Sequence, residues 1–369
     1  DVCSSDLVVF VGYAGQFGYK YGLASTWIGI GNAVLGSLVA WVVLGRRTRI
    51  MSKHLGSMTM PDFFGKRYDS QSLRIAASVI AFIFLIPYTA SVYNGLSYLF
   101  GMAFDVDFRI CVVVMAVLTG VYVIIGGYMA TAWNDLIQGI IMLFGIVAVI
   151  AAVLSGHGGF MAAVKELAQV PSSVMPGEYA SFLGPDPANL FGVVILTSLG
   201  TWGLPQMIQK FYAIKDEKAV HTGTIISTLF AIVVSGGCYF LGGFSRISGV
   251  KEAVDGTVKY DTIIPTMLSS LPDILIGIVI VLVLSASMST LSSLVLTSSS
   301  TLTLDFIKPL FVKKMNEKQQ LVWMRVLLAG FILISVVIAL DPPAFIAQLM
   351  GISWGALAGA FLAPFLYGL

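Results

Sequence analysis

Between Ser285 and Thr303, in SASMSTLSSLVLTSSSTLT, twelve of nineteen residues are serine or threonine, although the chain on either side is apolar. So many hydroxyls inside an apolar span need partners. For the later cluster, Ser298, Ser299, Ser300 and Thr301, the plain account is close helix packing, with each hydroxyl bonded to a backbone carbonyl one turn back. The earlier cluster is more informative. Ala286, Ser289, Thr290 and Ser293 fall at i, i+3, i+4 and i+7, one face of a helix, and Ser292 borders it. Hydroxyl and carbonyl oxygens sharing a face are the hard ligands that a small alkali cation needs on leaving water, and neutral ligands hold a monovalent ion loosely enough to release it.

Asp135 lies in GGYMATAWNDLIQG, where Gly126 and Gly127 are expected to break one helix and Trp133 to Gln138 to open another. Two readings stand: a functional carboxylate at membrane depth, or an acid that complements the positive end of a helix at the interface. Asp305 and Asp341 read as ordinary interface and loop acids. Gly200-Thr201-Trp202-Gly203-Leu204-Pro205 puts two glycines and a proline in the middle of a would-be spanning helix. The result is either a broken helix, whose half-helix ends present unpaired backbone groups to a solute, or a simple proline kink. Pro87-Tyr88 reads as a kink.

The elements that must position these residues are membrane helices. Of the 369 residues, 57% are hydrophobic and only 11% charged, against about 25% charged in an average soluble domain, so the chain is read as embedded in a lipid bilayer. A net charge of +2 with no basic run longer than two residues leaves no footprint for nucleic acid. The three cysteines and three histidines are scattered, which offers neither a disulfide framework nor a metal-ligand spacing. Nine apolar segments approach the roughly 20 residues needed to span a bilayer: about 24–45, 75–100, 109–128, 133–154, 189–211, 220–244, 273–304, 322–340 and 345–367. Residues 7–20 form a shorter tenth, so the chain is read as starting inside a membrane helix, and its C-terminus too reads as cut. The segments at 45–74, 206–220 and 305–325 hold fifteen of the 21 Lys and Arg residues, the opposite connections only Lys20, Arg109, Lys165, Arg246, Lys251 and Lys259. By the positive-inside rule the first group faces the cytoplasm.

Three stretches carry a resemblance. GGYMATAWNDLIQGIIM (126–142), WGLPQMIQKFYAIKD (202–216) and SASMSTLSSLVLTSSSTLTLDFIK (285–308) resemble, in the right order, signature segments of the sodium:solute symporter family, the group of bacterial proline, pantothenate, sialic acid and sodium/galactose carriers. The likeness spans nearly the whole chain. It implies an all-α, polytopic membrane protein, with a LeuT-like core of five plus five inverted-repeat helices, here terminally truncated, as one transporter domain over residues 1–369. It also implies secondary transport driven by inward sodium flow across a plasma membrane, that of the bacterial inner membrane being the natural setting. By position, the Ala286 carbonyl, Ser289 and Thr290 would form the family's general sodium site, and Ser289, Ser292, Ser293 and Asp135 an additional one, giving one or two bound sodium ions. For the solute the resemblance points to Gly15, Gln16, Tyr88, Thr201, Trp202 and Pro205. Two positions depart from the pattern: Lys210 replaces the usual arginine, and Thr201 occupies the aromatic gate position of the sugar carriers. A small amino acid or carboxylate is therefore expected rather than a sugar. The rival reading is a transporter-like membrane sensor domain of a larger signalling protein. An integral membrane enzyme finds no support in H-E-x-x-H, G-x-S-x-G or paired intramembrane carboxylates.

Overall fold

A computed structural model describes the protein at residues 9–172, 174–215, 217–249, 258–269, 271–312 and 314–369; the side chains of Val9, residues 125–135 and Glu217 lie outside the described set. The described residues form helices and no strand. Lipid dictates this, because a backbone in hydrocarbon has no water to bond and must satisfy its N–H and C=O groups within each segment.

The chain opens with a π-helical stretch, Val9–Ala14, that leads into α1 (Gly15–Tyr21). At Gly22 (φ +59°) it turns back, and a Cβ there would lie 2.1 Å from the Tyr179 carbonyl oxygen, so only glycine fits. The second leg runs through α2 (Thr26–Gly31) and π-helical turns to α3 (Arg46–Leu55). A short helix, α4 (Met60–Arg67), precedes the long α5 (Gln71–Phe104), which continues through Pro87. Next comes α6 (Phe108–Gly156), one helical element where two spans are expected. Both its ends lie at the same end of the bundle: Phe108 stacks on Tyr98 near the exit of α5, and Leu154 packs with Tyr179 and Phe244. The element therefore crosses twice, with Phe108–Ile124 and Leu136–Gly156 as its apolar halves.

The span that contains Gly200–Pro205 is broken, as one of the two readings requires. Helix α8 (Pro187–Gly200) passes through a 3₁₀ turn, Thr201–Gly203, and an extended Leu204 (φ −80°, ψ 121°) into α9 (Pro205–Ala213), and the two halves meet at 51°. Between Gly203 and Pro205 helical hydrogen bonding stops because Pro205 has no N–H to give. The remaining elements are a surface helix, α7 (Phe160–Ala168), then α10 (Glu217–Gly242), a short α11 (Ile263–Leu268), α12 (Asp273–Thr301), α13 (Glu317–Leu340) and α14 (Ile346–Gly368).

The helices sort into two packed groups. In one, α1, α2, α8 and α10 adjoin, joined by Ser25 Oγ donating to the Tyr239 carbonyl (2.9 Å), Ser198 Oγ to Asn32 Oδ1 (3.1 Å) and Trp202 Nε1 to the Leu35 carbonyl (3.0 Å). Here α1 and α10 touch backbone to backbone: a Cβ on Gly18 would fall 2.1 Å from the Gly242 carbonyl oxygen. The other group comprises α5, α6, α12, α13 and α14.

The basic segments converge at one end. Arg49 Nη1 donates to the Tyr212 carbonyl (3.0 Å), Arg67 Nε to the Gly368 carbonyl (2.7 Å) and Arg74 Nη2 to the Leu304 carbonyl (3.2 Å). The charge asymmetry read along the chain is thus a real spatial asymmetry. Asp305, expected to be an ordinary interface acid, is instead fully buried there. It accepts from Thr59 Oγ1 and from Arg74 Nε (2.9 Å) and Nη2 (2.8 Å), and Arg74 also reaches Asp62 (3.1 Å), itself paired with Lys66 (2.9 Å). Removing one partner of a buried pair costs about 3–5 kcal/mol. Asp305→Leu is expected to melt well below wild type in detergent, and Asp305→Leu with Arg74→Met to recover part of the loss; a single variant that melts with wild type would show that the network holds nothing.

Candidate functional site

Helix α12 carries its hydroxyls as membrane depth demands. Thr290 Oγ1 donates to the Ala286 carbonyl (2.9 Å), Ser292 Oγ and Ser293 Oγ both to the Ser289 carbonyl (3.0 and 2.9 Å), and Ser287 Oγ to the Val283 carbonyl (2.5 Å). Ser289 and Ser298 break the pattern. Both are buried and neither Oγ has a hydrogen-bond partner, so Ser298 does not make the bond one turn back that its cluster was expected to make. A buried hydroxyl left unpaired costs about 1–3 kcal/mol, so an oxygen held this way is suited to a ligand from outside the fold. Ala286, Thr290 and Ser292 are also buried, and Ser293 is partly exposed. Ala286 lies at a small cavity of about 10 Å³ lined by Phe10, Met142, Ile146, Val234, Cys238, Leu282 and Val283, where the N-terminal stretch, α6, α10 and α12 meet. The side chain of Asp135 lies outside the described residues.

The solute candidates divide. Tyr88, fully buried, stands edge-on to Trp354 of α14 with ring centroids 6.1 Å apart, and Tyr13 meets the same indole at 6.1 Å. Gly200, at the end of α8, presents its α-carbon to that ring: a Cβ there would lie 3.7 Å from it. Gly15 and Gln16 are buried on α1, Gly15 against the backbone of Tyr260 and the side chains of Ile263 and Ile264. Thr201 and Trp202 face elsewhere. They line a small cavity with Gly36, Ser37, Trp41 and Phe211, and the Trp202 indole N–H is spent on Leu35. Pro205 opens α9.

Trp354 and Gln206 were not read from the sequence. Both are buried; the indole N–H of Trp354 and both amide atoms of Gln206 lack partners. A tryptophan in an apolar helix carries no signal beyond packing, whereas a glutamine directly after the breaking proline does carry one.

The end opposite the basic segments is closed by side chains. Arg246 lies between the rings of Tyr19 (4.0 Å) and Tyr179 (3.9 Å) and donates from Nε to the Tyr19 carbonyl (2.6 Å). Asp261 caps α14, both of its oxygens accepting from the Ile346 N–H at 3.1 Å. Burial pushes its carboxyl up to about 6, with the Ile346 bond opposing the shift.

A helical bundle in which one span breaks at mid-depth, beside a helix bearing a face of oxygen ligands, is the architecture of a secondary transporter. The sequence model of the sodium:solute symporter family matches residues 3–369, and the chain belongs to that family. It is 28% identical over 370 residues to the sodium/pantothenate symporter of Haemophilus influenzae, covering 98% of this chain and 73% of that protein. To the sodium/proline symporter of Salmonella typhimurium it is 27% identical over 355 residues, covering 92% and 68%. Among solved structures, a substrate-bound, outward-open Na⁺-coupled sialic acid symporter superposes with a TM-score of 0.73 at 16% identity, over 98% of this chain and 78% of the other, which shows the fold. The protein is a sodium-coupled solute transporter that crosses the plasma membrane several times, and it is not an enzyme.

Asp261 yields a pH prediction. Its carboxyl titrates higher in the folded protein than in the unfolded chain, so its contribution to stability is full below about pH 4 and is lost as pH rises through about 6. Between those values the melting temperature of wild type should fall relative to that of Asp261→Asn; parallel profiles would refute the assignment.

Proposed function

We propose that the protein carries a small amino acid or carboxylate into the cell by alternating access, driven by one or two sodium ions held on the hydroxyl face of α12. The observation that carries this reading is the buried, unpartnered Ser289 Oγ beside Ala286 and Thr290. The Ala286 carbonyl, Ser289 and Thr290 form the first site. The second uses Ser289, Ser292, Ser293 and Asp135, and the helix register supports it. A Cβ on Gly145 of α6 would lie 2.6 Å from the Leu282 side chain of the oppositely running α12, so ten residues along each helix bring residue 135 level with residue 292. Asp135 would supply the one negative charge.

For the solute, two features favour a carboxylate. The relatives named above are a pantothenate and a proline symporter, and both solutes carry that group. The break at Thr201–Leu204 also points the positive end of α9 into the middle of the bundle. Gly15, Gln16 and Tyr88, the last edge-on to Trp354, are the proposed solute residues on one side; Thr201 and Trp202 would act from the separate cavity beside the break, and Pro205 at the start of α9. Inward- and outward-open states would come from one helix group moving against the other, with sodium stabilising the state that binds solute; the coupling is then reciprocal.

A thermal-stability titration of the purified protein with sodium, using potassium at equal ionic strength as the control, tests the ion before any solute is known. Sodium alone should raise the melting temperature, since binding to the folded state stabilises it by mass action. Ser289→Ala should require several-fold more sodium for half the effect, and Asp135→Asn should weaken the response as well. Equal stabilisation by the two ions would sink the proposal, and an unchanged sodium requirement in Ser289→Ala would sink the site.

A further inference from the structure

Thr290 of α12 and Thr303 of its π-helical continuation bond their own helix one turn back, to the Ala286 and Ser299 carbonyls. Thr297 does not follow them. Its Oγ1 donates across the helix interface to Gln209 Oε1 of α9, at 2.7 Å, from a position only 4% exposed. This bond joins α9, the half of the broken span that follows Leu204, to α12, which bears the proposed sodium oxygens.

The spacing on each side extends the contact into a seam. Ser289, Ser293 and Thr297 stand at i, i+4 and i+8 on α12, which puts Thr297 about 12 Å beyond Ser289 toward the basic end. On α9, Gln209 meets Thr297, and Gln206, one turn nearer the break, is buried with neither amide atom bonded. Gly203, before the extended Leu204, packs instead on α14, where a Cβ would lie 2.6 Å from the Ala358 α-carbon. Ser289 Oγ and the Gln206 amide are therefore polar groups without partners, and the Gln209–Thr297 bond lies below both.

We propose that the seam between α9 and α12 is the route by which sodium leaves Ser289 for the cytoplasm, with the Gln206 amide oxygen as a passing ligand and the Gln209–Thr297 hydrogen bond as the latch that closes it. The proposal rests on the sodium reading above. Gln209 and Thr297 are positioning residues. They hold α9 against α12 while the ion is bound, and they part when the basic end opens. An amide oxygen is a neutral hard ligand, which retains an alkali ion briefly and lets it go. A hydrogen bond between membrane helices shifts such an equilibrium about 3-fold on average and at most about 20-fold, strong enough to bias the closed state and weak enough to break in every cycle.

The test uses the whole protein in inside-out vesicles, with Cys3, Cys111 and Cys238 replaced by serine and Gln206→Cys as reporter for a membrane-impermeant maleimide. With the latch intact, labelling from the cytoplasmic face should be slow and slowed further by sodium. Thr297→Val, which keeps the shape and loses the hydroxyl, should speed labelling about 3-fold or more. Thr297→Ser should restore the slow rate, and Gln209→Leu with Thr297→Val should be no faster than either change alone. Sodium-free melting temperatures confirm that each variant is folded. Equal labelling of Thr297→Val and Thr297→Ser, or additive effects in the double variant, would overturn the latch. If wild type lacks a sodium-specific rise in melting temperature, the sodium reading fails and the route fails with it; if that rise is present and the labelling rates do not differ, the latch alone fails.

Discussion

Every polar group of this chain at membrane depth must find a partner inside the protein, and that requirement orders the whole structure. It explains why the described residues form helices and no strand, why Thr290 of α12 turns back onto its own helix's carbonyl, and why the tryptophan in the broken span gives its N–H to Leu35. The informative positions are those that the requirement leaves open. Among these, Ser289 keeps a free hydroxyl, Gln206 a free amide and Trp354 a free indole N–H, and all three are buried. Helix breaking occurs in the same region, where α8 gives way to α9 at Leu204.

The two ends of the bundle are closed by different chemistry. At the basic end, Asp305 and Asp62 hold Arg74 and Lys66 in one network that ties α4 to α5 and to the continuation of α12. Full burial makes that network costly to break on one side alone. At the other end, Arg246 rests between two tyrosine rings and Asp261 caps α14. Cation–π contacts and a carboxylate whose burial raises its titration fasten that end.

On the proposed mechanism, the contact between α9 and α12 limits how sodium and solute would communicate. The α9 half-helix belongs to the broken span and bonds α12 through Gln209. Through that bond a shift of α9 would reach the hydroxyl face two turns away, the kind of mechanical link that reciprocal coupling between two ligands needs.

Composition and apolar periodicity were enough to establish a many-span membrane protein, since 11% charge cannot cover a soluble surface and each span announces itself by length. The sidedness of the chain was legible in its lysines and arginines, because charges outside hydrocarbon are free to obey the positive-inside rule. The hydroxyl face of α12 was legible from spacing alone, since helix geometry is local, whereas at Gly200–Pro205 the sequence left a broken helix and a proline kink open and the structure decided for the break. Tertiary structure decided the rest. That Ser289 lacks a partner while Thr290 and Ser293 have one depends on what packs above each of them. That Asp305 is buried against Arg74, 231 residues away, has no local signature. Trp202 turned toward Leu35 and Trp354 toward Tyr88 look alike in sequence, because the direction in which a tryptophan points is set by which helix lies beside it.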